Sequence, residues 1–345
     1  MNKDLRIRAQ SLCVAIAGAL VFQLLGLPLP FLLGPIFACL IIALAGADLR
    51  GMRPVEEAMR TILGVAIGAS ITPALFHELP RMAASLALIP IFILLCALIG
   101  YPLLRRVFGL DHPTAWYSAM PGGLQDMLIF GIEAGANPRT LSLIQATRVL
   151  FIVSAAPVLL WLVWGVTLDA PPGAPIADTS PTQLALMAAA AIIGWRAAKA
   201  AGMFGASIFG PMIVAAILSL SGFLTMRPPA EAIWIAQVFI GLAVGVRYVG
   251  VTWRELRHDV TAGAVYCICL AAITVLFAES LYQIGLAPHL EAFLAFSPGG
   301  QAEMAIVALL AGADLAFVVS HHLVRIMVVI MLAPLAMRLW ARFGK

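Results

Sequence analysis

The chain has 345 residues, of which 62% are hydrophobic and 11% are charged, and its formal net charge is +4. Soluble domains carry about 25% charged residues. This composition therefore excludes an ordinary soluble protein, and the small net charge argues against a nucleic-acid partner. Several apolar runs approach the about 20 residues that a helix needs to cross a bilayer. We predict an all-α polytopic membrane protein.

The first half is predicted to contain five spans and one interrupted segment. The first apolar stretch has no Ala-x-Ala-like cleavage site, so we expect a membrane helix rather than a signal peptide. The spans are predicted at about residues 11–25, 31–47, 58–76, 82–104 and 139–166, with the interrupted segment at about 112–136. A Pro-rich loop without Lys or Arg follows at residues 167–181 and is predicted to be an extracytoplasmic linker.

The second half of the chain repeats the first. Glycines, prolines and charged residues recur at an offset of 176 or 177 residues. Matched pairs include Pro35 and Pro211, Gly64 and Gly241, Gly68 and Gly245, and Pro157 and Pro334. Chance would not keep such positions in register, so residues 1–166 and 182–345 are predicted to be two copies of one membrane repeat. Secondary transporters are often built in this way. The four-residue spacing of Gly64 and Gly68 also predicts a face for close helix packing.

One helix-breaking motif occurs in both halves. Residues 121–127 read Pro-Gly-Gly-Leu-Gln-Asp-Met, and residues 298–304 read Pro-Gly-Gly-Gln-Ala-Glu-Met. Broken backbone inside a bilayer has to be satisfied by protein or by a water-filled cavity. The arms around the first motif, residues 112–120 and 124–136, would be roughly 13 Å and 20 Å long as helices, about half the bilayer core. We predict one re-entrant or broken hairpin in each repeat.

The positions of Lys and Arg predict the topology. If each Pro-Gly-Gly segment enters and leaves on one side, each half has five crossings, and the basic clusters fall on the cytoplasmic side. Only Arg81 and Arg227 then lie on the opposite side. An odd number of crossings inverts the second half relative to the first. We therefore predict two inverted repeats of five spans with both termini cytoplasmic.

Residues around the two motifs form the candidate site. A helix that starts after a break has unpaired N–H groups and a positive dipole end, which together favour an anion. The predicted ion-coupling residues are Asp126 and Glu303; alternatively, their carboxylates only stabilise the helix ends. The predicted substrate-binding residues are Pro121, Gly122, Gly123, Gln125, Gln145, Arg148, Pro298, Gly299, Gly300, Gln301, His322 and Arg325.

Two arginines lie in the spans that follow the motifs. Arg148 and Arg325 each lie 27 residues after the proline of their motif. An arginine at mid-depth costs about 2.5–3.5 kcal/mol on insertion scales and needs a partner. One alternative is an ion pair with the carboxylate of the motif, which would lock the hairpin. The other is a clamp on a substrate carboxylate, for which the planar guanidinium is suited.

No metal or cofactor site is predicted. The five cysteines lie in apolar segments without zinc-type spacing, and the six histidines are scattered along the chain. Buried cysteines usually act as small hydrophobic residues. We therefore expect no metal, no cofactor and no enzymatic activity.

The paired motifs, in the contexts MPGGLQDM and SPGGQAEM, and the spans LLGPIFACLI and IFGPMIVAAI resemble the AbrB family of bacterial inner-membrane proteins. That family has a duplicated membrane domain, and the resemblance covers about residues 10–340. The resemblance implies a multi-pass protein of the bacterial inner membrane. It also associates the chain with transport of acidic amino acids such as glutamate. Legacy labels in the family name an ammonia monooxygenase or a regulator of gene expression. The sequence offers neither a copper or iron ligand set nor a soluble DNA-binding domain.

Together these features predict a secondary-active transporter of a small organic anion, an amino acid or a carboxylate. Transport would be coupled to H⁺ or Na⁺ and would proceed by alternating access. A passive channel or permease and a membrane sensor with a regulatory role are the alternatives left open. The expected partners are the lipid bilayer, the anionic solute and the coupling ion, without nucleic acid, and a homodimer is compatible with the sequence.

Overall fold

The computed structural model describes residues 3–71, 73, 75–168, 170–203 and 205–343, without the side chains of residues 3, 75–79, 81 and 338–343. These residues form helices and no β-strand. In chain order the α-helices are α1 (Lys3–Leu24), α2 (Pro30–Leu44), α3 (Arg53–Gly68), α4 (Leu75–Leu86), α5 (Ile89–Pro102), α6 (His112–Ala119), α7 (Leu124–Glu133), α8 (Pro138–Trp164), α9 (Pro181–Ala200), α10 (Ala206–Leu220), α11 (Ala230–Gly245), α12 (Trp253–Glu255), α13 (Thr261–Gln283), α14 (His289–Phe296), α15 (Gln301–Leu310) and α16 (Leu315–Phe343). Two π-helical turns, Leu103–Val107 and Leu256–Val260, follow α5 and precede α13.

Six of the described helical stretches are long and apolar enough to cross a membrane, which makes the chain a multi-pass membrane protein. They are Asp4–Leu24, Met82–Val107, Pro138–Trp164, Ala230–Tyr248, Trp253–Gln283 and Leu315–Met337. The predicted spans at 82–104 and 139–166 coincide with two of these. Helices α2 and α10 have only fifteen residues each, or about 22 Å. The number of crossings in each half stays a prediction.

The third span ends earlier than the sequence predicted. Helix α3 stops at Gly68, whereas the predicted span continued to residue 76. Pro73 follows in a turn, and a proline inside a helix removes a backbone donor and clashes with the preceding turn. Helix α3 also begins five residues earlier than predicted, at Arg53, because Pro54 at its start favours helix initiation.

Both Pro-Gly-Gly motifs interrupt the helix, as predicted. Four residues separate α6 from α7, and four separate α14 from α15. The first residue of each interruption is extended: Met120 has φ −74° and ψ 125°, and Ser297 has φ −65° and ψ 120°. The two halves therefore leave the helix at equivalent positions and with the same backbone conformation.

The chain folds into two compact units, and each draws on both halves of the sequence. Unit 1 comprises Met1–Leu79, Gly165–Gly250 and Ala305–Ala316. Unit 2 comprises Pro80–Trp164, Val251–Met304 and Phe317–Lys345. Both helix breaks and both arginines of the candidate site lie in unit 2. The predicted division at residues 167–181 marks the repeats in the sequence and does not coincide with the division into units.

Helices of unit 1 approach one another closely at glycines. A Cβ built on Gly64 of α3 would lie 2.3 Å from the carbonyl oxygen of Ile208 in α10. One built on Gly241 of α11 would lie 2.5 Å from the carbonyl oxygen of Leu32 in α2. No real side chain fits in such gaps, so the packing face predicted at Gly64 is confirmed. The same contact is made twice, each time between helices from different halves of the chain.

Candidate functional site

Two buried arginines hold the backbone at the two helix breaks. Arg148 donates from Nη1 to the carbonyl of Met120 at 2.9 Å and from Nη2 to the carbonyl of Gly122 at 2.7 Å. Arg325 donates in the same way to the carbonyls of Ser297 at 2.7 Å and Gly299 at 3.3 Å. The last carbonyls of a helix have no partner within it and carry its negative dipole end. The guanidinium fork therefore satisfies groups that the break leaves open.

The residue three positions before each arginine makes a second, parallel contact. Gln145 Nε2 donates to the carbonyl of Tyr117 at 2.8 Å, and His322 Nε2 lies 2.9 Å from the carbonyl of Leu294. A carbonyl can only accept, so His322 carries its proton on Nε2. Its Nδ1 then accepts from Arg325 Nη2 at 3.3 Å. This geometry fits a neutral imidazole, and a second proton on Nδ1 would face the guanidinium.

Helix α13 supplies partners that the sequence analysis missed. The hydroxyl of Tyr266 donates to the carbonyl of Ala119, and Thr274 Oγ1 donates to the carbonyl of Phe296 at 3.4 Å. Ala119 and Phe296 are the last residues of α6 and α14. The position of Tyr266 in the apolar first part of α13 is the signal that could have pointed to this role, because a buried hydroxyl needs a partner.

The two breaks pack crosswise on the helices that carry the arginines. A Cβ built on Gly122 would lie 2.8 Å from Cγ1 of Val329, which follows Arg325 by four residues in α16. One built on Gly299 would lie 3.2 Å from Cγ2 of Ile152, which follows Arg148 by four residues in α8. Each break is thus held by the arginine of its own half and packs against the arginine-bearing helix of the other half. The structure brings both motifs and both arginines into one region of unit 2.

The helices that restart after the breaks begin with open N–H groups. Gly123 precedes α7 and provides no side-chain cap, and the first backbone hydrogen bond of this helix runs from Met127 to Gly123 at 3.0 Å. In α15 the equivalent bond runs from Met304 to Gly300 at 2.9 Å. The N–H groups of the intervening residues therefore point beyond the helix end, where an anion can accept from them.

The two predicted ion-coupling carboxylates differ in their surroundings. Asp126 is half-buried and its neighbour Gln125 is exposed. Glu303 is 6% exposed, and its Oε2 lies only 2.0 Å from the position that a Cβ on Gly300 would take. Gln301 is half-buried, and its Nε2 has no hydrogen-bond partner among the described residues. Asp126 is therefore the more accessible of the two carboxylates.

The predicted ion pair between arginine and motif carboxylate is not formed. Among the described side chains, no carboxylate lies within 4.0 Å of either guanidinium. Both arginines are 2% exposed, and their Nε atoms have no partner in the described part of the chain. Each arginine therefore holds its helix break through backbone carbonyls and not through a carboxylate.

Similarity to known proteins covers nearly the whole chain. A family model described as "Transition state regulatory protein AbrB" matches residues 31–341. The chain belongs to the AbrB family. The AbrB match includes both helix breaks, both arginines and the glycine contacts of unit 1.

Two AbrB-family relatives are bacterial. The chain is 26% identical over 346 residues to "Uncharacterized protein YhjN" of Bacillus subtilis (strain 168), which covers 94% of this chain and 90% of the relative. It is 26% identical over 319 residues to "Putative regulator AbrB" of Escherichia coli (strain K12), which covers 91% of this chain and 90% of the relative. The resemblance deduced from the motifs is thereby confirmed.

Proposed function

We propose that this AbrB-family protein is a secondary-active transporter of a small organic anion. The observation that carries the proposal is the pair of buried guanidiniums that have no carboxylate beside them in the described part of the chain. A buried charge without a counter-charge is costly. Two such charges, next to two open helix N-termini, favour an anionic occupant. The proposal assigns binding and movement of a solute and no enzymatic step.

The architecture that we propose is a pair of inverted repeats, each with a re-entrant hairpin. In support, the N–H of Asn137, after α7, donates to Thr114 Oγ1 near the start of α6 at 2.8 Å. This hydrogen bond joins the chain just after the second arm to the start of the first arm, as expected for a hairpin. The reciprocal contacts at the two breaks also fit a twofold relation between the halves. The bacterial relatives and the placement of basic residues favour an inner-membrane protein with cytoplasmic termini, although Lys345 lies outside the described residues.

We propose that the substrate binds at the N-termini of α7 and α15. The backbone N–H groups there, together with the side-chain amides of Gln125 and Gln301, would donate hydrogen bonds to a carboxylate of the substrate. Arg148 and Arg325 would supply positive charge and keep the tips in place, since their Nη atoms already bind carbonyls. An amino acid or a carboxylate, with glutamate the first to test, fits this chemistry.

We propose that Asp126 couples transport to H⁺ or Na⁺. Its half-buried position allows exchange with solution, which a coupling group requires when the site opens to each side in turn. Glu303 would act with it from the second break. Alternating access then links the occupancy of the carboxylate to that of the anion site.

The test is uptake of labelled glutamate and other carboxylates into proteoliposomes with imposed H⁺ or Na⁺ gradients. We expect accumulation above the external concentration that collapses when an ionophore removes the gradient. A passive channel would give equilibration that ignores the ionophore. Binding without flux would instead favour a sensor, a role closer to the name of the Escherichia coli relative. Absence of both flux and binding for every anion would refute the proposal.

A further inference from the structure

Unit 1 contains a cavity that is separate from the helix breaks. Its volume is about 420 Å³, within the range of about 300–1,000 Å³ that is usual for small-molecule sites. Its walls come from the start of α2, the Pro-rich residues 168, 170–173 and 175, the first two turns of α11, and Leu310 at the end of α15. All of these residues belong to unit 1.

The Pro-rich wall is attached to the rest of unit 1 by hydrogen bonds. The N–H of Ala170 donates to the carbonyl of Leu310 at 3.0 Å, and the N–H of Ala230 donates to the carbonyl of Ala174 at 3.0 Å. The N–H of Ile176 donates to Glu231 Oε2 at 3.0 Å. The cavity is therefore a built feature of the fold, in a segment that the sequence analysis regarded only as a linker.

One polar side chain in this cavity lacks a partner. Gln237 is 1% exposed and lines the cavity, and its Nε2 makes no hydrogen bond to the described residues. Buried amide groups are nearly always paired. An N–H donor left open in this way calls for an oxygen acceptor from a ligand.

The backbone is strained at Leu29, another residue that lines the cavity. Leu29, which is 2% exposed, has φ 52° and ψ 52°, and among the described residues it is the one non-glycine residue with positive φ. The equivalent position in the second half is Gly205, with φ 61°. A leucine in this conformation costs free energy, and such strain is concentrated at functional sites.

The charge and aromatic surface of the cavity define the ligand. Among the lining residues that the structure describes, Glu231 carries the one charged side chain, and Trp234 stacks on Phe31 with ring centroids 5.3 Å apart. A carboxylate repels anions and has a second oxygen beyond the one that Ile176 uses. Aromatic rings next to a carboxylate are typical surroundings for an organic ammonium group. Glu231, Trp234 and Gln237 follow one another at three-residue spacing along α11, so each is a surface neighbour of the next, and all three line the cavity.

We propose that this cavity binds a small organic cation that carries an oxygen acceptor, with the ammonium group at Glu231 and the oxygen at the Nε2 of Gln237. Choline and ethanolamine have this chemistry as free solutes, and so does the head group of phosphatidylethanolamine. The site is independent of the proposed anion transport, because its charge has the opposite sign and none of its residues belongs to the helix breaks.

The experiment is titration of the purified full-length protein with choline and with ethanolamine by calorimetry. We expect saturable binding that weakens about tenfold or more in Glu231→Gln, which keeps an oxygen for the N–H of Ile176 but removes the charge. Gln237→Leu should weaken it as well, and Gln237→Met replaces this variant if it does not fold. Glu279→Gln removes an exposed carboxylate in unit 2 and should bind like the wild type.

A second arm identifies the source of the cation. The melting temperatures of wild type and Glu231→Gln are compared in nanodiscs of phosphatidylglycerol with and without phosphatidylethanolamine. Stabilisation by phosphatidylethanolamine that Glu231→Gln removes would support the lipid as the occupant, even if the free solutes do not bind. Absence of binding and of stabilisation, or equal effects in Glu231→Gln and wild type, would overturn the proposal. Neither result depends on whether the protein transports anions.

Discussion

Replacing Arg148 with lysine keeps the positive charge but removes the two separate NH₂ groups of the guanidinium. The two carbonyls at the first break accept from different nitrogens, at 2.9 Å and 2.7 Å, and a lysine ammonium can reach one of them. A hydrogen bond from a charged donor contributes about 1.5–3 kcal/mol. Loss of one such bond should lower the free energy of unfolding by about that amount, which is a change of roughly 10- to 150-fold in the unfolding equilibrium constant. The Nε of Arg148 has no partner among the described residues, so its removal adds little.

The measurement is reversible unfolding in mixed detergent micelles with increasing sodium dodecyl sulfate. Arg105→Lys is the matched control, because Arg105 is exposed and donates to a single carbonyl, that of Leu110. This control should change the free energy of unfolding by no more than about 0.5 kcal/mol. Arg325→Lys should also destabilise the protein, since Nη2 of Arg325 donates to the carbonyl of Gly299 and to Nδ1 of His322, each at 3.3 Å. Wild-type stability of Arg148→Lys, or an equal loss in Arg105→Lys, would refute the role of the fork.

Three further predictions concern the surroundings of the breaks, the packing of unit 1 and coupling. Tyr266→Phe leaves the carbonyl at the end of α6 unpaired and should lower the free energy of unfolding by about 1–3 kcal/mol. Thr274→Val removes a longer hydrogen bond and should lower it less in the same assay. The opposite order of the two variants would contradict the geometry. Gly64→Ala and Gly241→Ala each insert a methyl group against a carbonyl of another helix and should lower the stability by about 1–3 kcal/mol. Size-exclusion chromatography after heating should then show aggregation at a lower temperature than in the wild type. A neutral result for both variants would show that the helices can separate freely. Asp126→Asn should abolish gradient-driven accumulation in proteoliposomes while substrate still binds, and accumulation that still follows the gradient would exclude this residue as the coupling group.

The sequence predicted the position of the helix breaks well, because proline and glycine act locally. Pro-Gly-Gly interrupts a helix in almost any surroundings, and the same motif at both sites gave the same extended backbone at Met120 and Ser297. The equal spacing from motif to arginine also indicated that Arg148 and Arg325 would reach the breaks. These features depend on short stretches of chain, which a single sequence contains in full.

The partners of the arginines could not be read from the sequence. A guanidinium donates hydrogen bonds to carboxylates and to carbonyls alike, and its partner depends on which of these acceptors the tertiary fold places within reach. The contact of Tyr266 and the cavity beside Gln237 could not be predicted from the sequence for the same reason. Both depend on segments that are far apart in the chain. The division into two units depends on such distant contacts too, so the order of the repeats in the sequence did not reveal it.

The glycine contacts of unit 1 have a consequence for biosynthesis. Gly64 belongs to the first half, but the carbonyl against which it packs belongs to Ile208 in the second. Translation at 5–20 residues per second takes about 7–30 s to cover the roughly 144 residues between them. During this interval the face of α3 that packs on Ile208 lacks its partner, and the face of α2 lacks its partner until Gly241 is made. Factors that bind nascent membrane helices therefore have about 7–30 s in which to recognise the exposed face of α3.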